Sequence, residues 1–453
     1  MKVKYKKIDT QLNIFDIFSL FKDYDEVIFL DSGKDHDTLG KYSFIGINPY
    51  IKFRYKDGIC NINNEKFKGD PFKEIDKIIK ANKIEKNSEY PFLSGAIGYF
   101  SYDFCRDIEK IPNTAKEDVD IPSVYFNFYD NILIYDNINK TLVVTALGKL
   151  ENKEKSIEKI ENIILKGKIH SPLKIENLHY DLNSFQSNFT KENYIKTISK
   201  VKDYIESGHI YITNLTQRFT KATKEDPYCI YEKLRKINPA PFAAYMALEN
   251  FYILSSSPER FLKIENNIIE TRPIKGTRPR SNDKAEDERL KEELLNSEKD
   301  KSELLMIVDL ERNDLNKVCK ENSVKVTELF KLEKHSTVFH LVSTVVGQLK
   351  EDKTTMDVIK ATFPGGSITG APKIRSMEII EELEKIRRNI YTGAIGYLSL
   401  DGNVDLNIVI RTILIKDNMA YLGVGGGITY ESDEAMEYDE TLDKALALME
   451  VLK

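Results

Sequence analysis

The chain has 453 residues, of which 41% are hydrophobic and 31% charged, and its formal net charge is −5. That length can bury a large core, as two to three domains or as one large fold of two intertwined halves, and the composition excludes a disordered chain or one that coats nucleic acid. No apolar run approaches the roughly 18 residues of a membrane span, and the basic opening "MKVKYKKIDTQLNIF" lacks the apolar stretch of a secretion signal, so the cytoplasm is the expected location. Cys60, Cys105, Cys229 and Cys319 are scattered without a CxxC pair or zinc-like spacing and read as reduced thiols.

Residues 25 to 145 carry short β-type runs, "EVIFL", "YIKFRY", "SVYFNFYDNILIY" and "TLVVTAL", separated by Gly, Asn and Asp turns. Residues 1–146 thus form a strand-rich region. Residues 147–192 are charged and poor in aromatics, with one amphipathic stretch, and predict a helix followed by a surface connection. Residues 193–453 form the remaining region. There "KENYIKTISKVKDYIESG" has helical apolar spacing and ends on Gly208, "FAAYMAL" and "FYILSSS" predict strands, and 283–320 predicts one long helix. Later strands are expected in "TGAIGYLSL", "NVDLNIVIRTILIK" and "NMAYLGVGGGITY". Strands and helices that do not alternate regularly predict an α+β fold with large, mainly antiparallel sheets.

Several constellations can carry chemistry, and each also has a purely structural reading. Glu437, Glu440 and Lys444 stand at i, i+3 and i+7 of the last predicted helix, on one face. The two carboxylates either form a solvated acidic face or hold a hard divalent cation such as Mg2+. Glu303, next to the apolar run "LLMIVDL", is either half of an interior salt bridge or a further metal ligand. "GVGGGITY" (423–430) reads as a tight turn or as a carboxylate-binding turn, and it matches neither nucleotide fingerprint. Ser367 and Thr369 in "FPGGSITGAPKIRSMEII" can cap the following helix, or can bind an oxyanion together with Lys373. His340 lies in a β-branched run, where a satisfied core histidine is the plainer reading. Lys275 in "TRPIKGTRPR" is by itself a turn lysine or the charge partner of a nearby glutamate.

In order along the chain, "SGAIGYFSYD", "IYITNLTQRF", "SSSPERF", "PIKGTRPR", "SELLMIVDLERNDL", "FHLVSTVVG", "FPGGSITGAPK", "TGAIGYLSLDG" and "GVGGGITYESDEAMEYDETLDKA" resemble the chorismate-utilising enzymes. This family includes component I of anthranilate synthase, component I of aminodeoxychorismate synthase, and the isochorismate and salicylate synthases. The resemblance covers nearly all of residues 92 to 446 and implies an α/β sandwich around large antiparallel sheets, with chorismate and Mg2+ bound in a cleft. It implies Glu303 and Glu440 as metal ligands with Glu437 beside them. Arg411, Gly426, Gly427 and Lys444 would hold substrate carboxylates, and Tyr391, Ser367 and His340 would line the pocket around the ring and the enolpyruvyl group.

"PIKGT" resembles the aminodeoxychorismate branch, whereas other branches carry a small residue in place of the lysine. In that branch Lys275 would attack C2 of the ring as the 4-hydroxyl leaves, with Glu259 as the general acid/base, and ammonia would then add at C4. A protonated lysine cannot attack, so the role requires desolvation or neighbouring cations, whereas the glutamate must be kept protonated by burial. "NPAPFAAYM" resembles the same branch, and "FLDSG" resembles a wall of the tryptophan pocket of anthranilate synthases, so a structurally held tryptophan near Ser32, Pro241 and Phe242 is a further expectation. Ile212 departs from the family pattern. Ammonia-using relatives often have glutamine there and water-using relatives lysine, so no base stands there to activate water, and the ammonia path lacks its usual side chain. No Gly-x-Cys-x-Gly nucleophile elbow is visible, and ammonia is expected from a separate glutamine amidotransferase subunit in a heterodimer.

Overall fold

Runs rich in Tyr, Phe, Val and Ile build the sheets, because branched and aromatic side chains pack well on a pleated surface. In the computed structural model, residues 1–85, 89–171, 173, 180–334 and 338–452 are described. Two long strands, Tyr42–Lys56 and Val124–Asp136, pair antiparallel from Tyr42 opposite Asp136 to Tyr55 opposite Val124. A register shift between Pro49 and Ile51 interrupts this ladder, and such an irregularity bends and twists a strand pair. Different neighbours then join the two ends of the pair.

At one end, Thr141–Ala146 adds beside Leu133–Asp136 and Ile28–Asp31 beside Phe44–Gly46. The sheet continues through Phe242–Ala247, Phe251–Ser257, Thr412–Lys416 and Met419–Ile428 to Ile212–Ala222. At the other end, Gly95–Phe100 adds beside Val124–Tyr129, followed by Ala394–Ser399, Val404–Asn407, Arg260–Glu265 and Ile268–Thr271. The strand Val338–Gln348 comes next, with Ile274–Pro279 on one edge and Lys325–Lys334 on the other. Every ladder between these strands is antiparallel, and both arms combine strands from the first, middle and last thirds of the chain. The expected α+β fold with large antiparallel sheets and intertwined halves is therefore observed.

Two apolar cores lie against the sheet. Tyr99, Phe100, Phe104 and Phe126 are buried in one, together with Met246 and Ile253 from strands of the first arm, and Phe18, Phe29, Leu133 and Tyr245 in the other. A smaller cluster of Tyr194, Ile198, Ile379 and Ile428 fixes the helices Lys191–Glu206 and Lys373–Glu384 to the strand Met419–Ile428. Residues 147–192 contain the helix Lys153–Lys166, and of the connection expected after it, residues 172 and 174–179 lie outside the described residues. Among the described residues, no helix is long and apolar enough to cross a membrane.

Two expectations need correction. The helical pattern over 283–320 is two helices, Lys284–Asn296 and Glu298–Asn316. Ser297 is extended, and its hydroxyl accepts the Asp300 N–H at 3.2 Å, so it caps a new helix rather than continuing the old one. The Gly-rich 423–428 stretch is not a turn. It is the second half of the strand Met419–Ile428, paired residue by residue with Ile212–Ala222, and the turn comes only afterwards.

A buried polar network holds the bent strand pair. The Glu26 carboxylate accepts from Arg54 on one strand and from Tyr125 (2.6 Å) and Asn127 (2.7 Å) on the other, and the Tyr129 hydroxyl donates to the Glu26 carbonyl oxygen at 2.6 Å. The Arg54 guanidinium lies 3.2 Å from the Tyr125 ring centroid. Burial alone would push the Glu26 carboxyl up, but Arg54, Lys52, Tyr125 and Asn127 together hold it below the usual glutamate value. Glu26→Ala would leave a buried guanidinium uncompensated, so it should cost about 3–5 kcal/mol, seen as a lower denaturant midpoint. An unchanged midpoint would show that the network is not what holds the bend.

Candidate active site

Strands of both arms and two helices enclose a cleft of ≈ 650 Å³. One wall is Ile274–Pro279 beside Val338–Gln348, the other is Met419–Ile428, and the helices Glu298–Asn316 and Glu434–Glu450 supply carboxylates.

Lys275 reaches the cleft because its strand is irregular. The register shifts between Lys275 and Thr277, and Gly276 takes a φ of +73°, which glycine adopts without strain. The Lys275 amine donates to the Ser367 carbonyl oxygen at 3.3 Å, and among the described residues no carboxylate stands within ion-pairing distance of it. Glu259 is buried, at 7% exposed, and its carboxyl lies near the Ser367 hydroxyl and the Ile274 N–H. Burial pushes its carboxyl up, with partial offsets from Ser367, Lys275, Ile274 and Lys444. Ser367 therefore stands beside both groups, its carbonyl bonded to Lys275 and its hydroxyl near Glu259. His340, opposite Thr277 in the ladder, bonds the Thr277 hydroxyl through Nδ1 at 3.0 Å and also lines the cleft.

The carboxylates face this pair. Glu437 accepts from Ser432 Oγ at 2.7 Å, and burial pushes it up, with Glu440 adding to the rise. Burial also raises Glu303, reinforced by Asp300 and Glu437 and opposed by Lys275 and Lys299. For Glu440 burial is outweighed by Lys444, Lys299 and Lys275, which hold it low, and its Oε1 lies 2.5 Å from Lys444 Nζ. Oxygen donors that repel one another suit a hard cation such as Mg2+. Among the described residues, however, no three His, Cys, Asp or Glu side chains are gathered closely enough to hold an ion.

Cations and glycines stand beside the carboxylate-bearing helix Glu434–Glu450. Arg411 is held at φ +53°, an uncommon conformation for a side-chain-bearing residue. Its guanidinium donates to the Lys444 carbonyl oxygen. Burial lowers its pKa despite Tyr391 and Glu440, and among the described residues no carboxylate ion-pairs with it. Lys444 also donates to the Gly425 carbonyl oxygen at 2.9 Å. A Cβ at Gly423 would lie 2.2 Å from the Tyr391 ring, one at Gly426 3.1 Å from Glu437 Oε2, and one at Gly427 3.6 Å from Lys275 Nζ. The glycines thus clear space on a strand for Tyr391 and for the charged groups.

Not every expected residue lies here. Lys373 is bound to Asp314 and to the carbonyl oxygens of Thr362 (2.9 Å) and Pro364 (2.8 Å), and Thr369 Oγ1 donates to Gly365 O at 2.9 Å. Neither lines the cleft, because local carbonyls use their donors. The helix after them starts at Lys373 behind Pro372 with no side-chain cap, so Ser367 and Thr369 are not its caps either. Ile212 is 2% exposed, and its Cδ1 lies 3.1 Å from where a Gly427 Cβ would be, which puts an aliphatic group beside the Lys275 amine. Among the cleft residues that sequence reasoning missed are Lys299 and Asn214. Lys299 acts on all three carboxylates, and its spacing, one helical turn before Glu303, was a readable signal. Asn214 Oδ1 is buried without a partner, which no spacing could reveal.

A second cavity of ≈ 350 Å³ is lined by Ser32, Pro241 and Phe242. The Ser32 hydroxyl bonds the carbonyl oxygens of Tyr42 (2.8 Å) and Pro241 (3.2 Å), and the Arg260 guanidinium lies 5.0 Å from the Phe242 ring centroid. Arg260 lines both cavities.

Comparison with known proteins agrees with this architecture. The family described as chorismate binding enzyme matches residues 25–450. Anthranilate synthase component 1 of Acetivibrio thermocellus is 38% identical over 456 residues, covering 96% of this chain and 92% of that protein. Aminodeoxychorismate synthase component 1 of Bacillus subtilis (strain 168) is 39% identical over 422 residues, covering 91% and 90%. The crystal structure of anthranilate synthase component I from Streptococcus pneumoniae TIGR4 superposes with a TM-score of 0.82 at 32% identity, covering 90% of this chain and 92% of that one. The chain belongs to the chorismate-binding enzyme family, in the group formed by component I of anthranilate synthase and of aminodeoxychorismate synthase.

The raised Glu259 carboxyl gives a signed prediction. With a folded pKa above the unfolded one, the native state binds more protons between the two values, so this group's contribution to stability is present at low pH and lost as pH rises through the folded pKa. Glu259→Gln removes that loss. Its melting temperature relative to the unsubstituted protein should therefore rise between pH 4 and pH 8, and a flat difference would contradict the burial of a costly charge.

Proposed function

We propose that the protein is component I of an aminodeoxychorismate synthase, converting chorismate and ammonia to 4-amino-4-deoxychorismate and water. The observation that carries the reading is the Lys275 amine in the cleft, free of any carboxylate ion pair among the described residues, bonded to the Ser367 carbonyl and close to the buried Glu259. The Lys275 nitrogen, once neutral, forms a bond to C2 as both conjugated ring double bonds shift along the ring and the C4–O bond breaks. Glu259 donates its proton to the leaving hydroxyl, which departs as water. Ammonia then bonds to C4, the C2–N bond breaks, and the lysine leaves as an amine.

Other residues bind and orient in this scheme. Arg411 and Lys444 meet substrate carboxylates, Gly426 and Gly427 let those groups approach the strand, and Tyr391, His340 and Ser367 bound the ring and the enolpyruvyl group. Glu303 and Glu440, with Glu437 beside them, would hold Mg2+, which when bound would neutralise anionic charge on the substrate. Ile212 offers no base to water, and this disfavours an isochorismate product. Ammonia would come from a separate glutamine amidotransferase subunit, and the second cavity would hold tryptophan.

One observation favours a second reading: relatives named anthranilate synthase component 1 match the chain as well as the aminodeoxychorismate synthases do. A chromatographic assay with chorismate, Mg2+ and ammonium separates the two. The expected product is aminodeoxychorismate, abolished by Lys275→Ala and slowed about 10²–10⁴-fold by Glu259→Gln. Anthranilate and pyruvate from both the original chain and Lys275→Ala would assign the second reading. Glutamine with a cognate glutaminase should replace ammonium, and its failure to do so would remove the proposed partner. Denaturing the purified protein should release tryptophan, and finding none in the supernatant would count against the second ligand.

A further inference from the structure

Ser367 can stand beside both Lys275 and Glu259 only if its loop is held at a fixed height over this part of the sheet, and one side chain outside the cleft bonds both that loop and the end of the strand preceding the Lys275 strand. Glu311 lies on the helix Glu298–Asn316 and is 4% exposed. Its Oε1 accepts the Gly366 N–H at 3.2 Å, one residue before Ser367. Its Oε2 accepts the Thr271 hydroxyl at 3.2 Å, four residues before Lys275. We infer that Glu311 is a positioning residue, a buried clamp that fixes the Ser367 loop against Thr271, at the end of the strand that leads into the Lys275 strand, and so sets the geometry of the reacting amine and acid. The inference rests on the reading of Lys275 and Glu259 given above.

Three further features support it. A Cβ at Gly366 would lie 2.5 Å from Leu310 Cδ2 and 3.2 Å from Glu311 Oε1, so a side chain there would displace the leucine and crowd the Glu311 bond. One turn further along, Asp314 binds Lys373, whose ammonium also holds the carbonyl oxygens of Thr362 and Pro364, so the helix grips the loop at a second point. A carboxylate is also costly here. Burial, only partly offset by Lys373, pushes the Glu311 carboxyl up to about 7, with Asp314 adding to the rise and Thr271 and Gly366 opposing it. A core residue needed only for packing would be apolar at less cost.

Glutamine can replace both bonds without the charge, its amide oxygen accepting from Gly366 and its NH2 donating to the Thr271 oxygen. Alanine replaces neither. Two readouts on the full chain test the clamp: turnover with chorismate, Mg2+ and ammonium, and the rate at which trinitrobenzenesulfonate modifies Lys275 relative to Lys299, read by peptide mass spectrometry. Glu311→Ala should lower kcat about 10–100-fold with KM for chorismate within about 3-fold, a loss of alignment rather than of binding. It should also change the Lys275 modification rate while leaving Lys299 unchanged, and Glu311→Gln should restore both. An unchanged Lys275 rate in Glu311→Ala, or Glu311→Gln as impaired as Glu311→Ala, would overturn the inference. If Glu311→Ala does not fold, Thr271→Val, which removes only one of the two bonds, must shift the Lys275 rate in the same direction or the inference fails. The modification readout needs no turnover, so it decides the clamp even if the product assay assigns a different reaction.

Discussion

An amine and a buried carboxyl brought together beside one serine are the constraint around which this molecule is arranged. The amine comes from a strand of one arm, the carboxyl from the loop following a strand of the other, and the serine from a loop between helices. The amine bonds the serine carbonyl, and the carboxyl lies near the serine hydroxyl. The bent pair Tyr42–Lys56 and Val124–Asp136 sends the sheet in two directions, and the cleft lies where later strands of the two arms face each other.

Charge balance in the cleft follows from that placement. Glu303, Glu437 and Glu440 face Lys275, Lys299 and Lys444, yet of these only Glu440 and Lys444 make a direct ion pair. Burial raises Glu303 and Glu437, which is the condition of acids without enough positive charge nearby. Arg411, whose guanidinium donates to the Lys444 carbonyl, is a cation without a carboxylate ion pair among the described residues. Under the proposed function, Arg411 and Lys444 would meet a dianionic ligand and the raised carboxyls a divalent cation.

Much of this was readable from residue spacing. Glu437, Glu440 and Lys444 share a helical face because i, i+3 and i+7 must, and strand-like runs such as "SVYFNFYDNILIY" became strands because no competing signal opposed them. Other features depend on contacts between distant segments. Lys373 and Thr369 lie within a few residues of Ser367, but which of the three reaches the cleft was decided by carbonyl oxygens at 362, 364 and 365 that no local pattern marks. "GVGGG" looked like a turn because glycine is common in turns. Its pairing with Ile212–Ala222 and the crowding from Tyr391 and Glu437 make it a strand that must lack side chains. Ser297 divides a continuous helical pattern because a serine hydroxyl competes for backbone N–H groups.

The most direct test of the central claim is the covalent state of Lys275 itself. The protein would be mixed with chorismate and Mg2+ without ammonium, quenched in acid, digested, and its peptides weighed. A nucleophilic lysine predicts a Lys275 peptide heavier by chorismate less one water, absent when Glu259 is replaced by Gln. An unmodified Lys275 in a preparation that forms aminated product once ammonium is added would contradict the account.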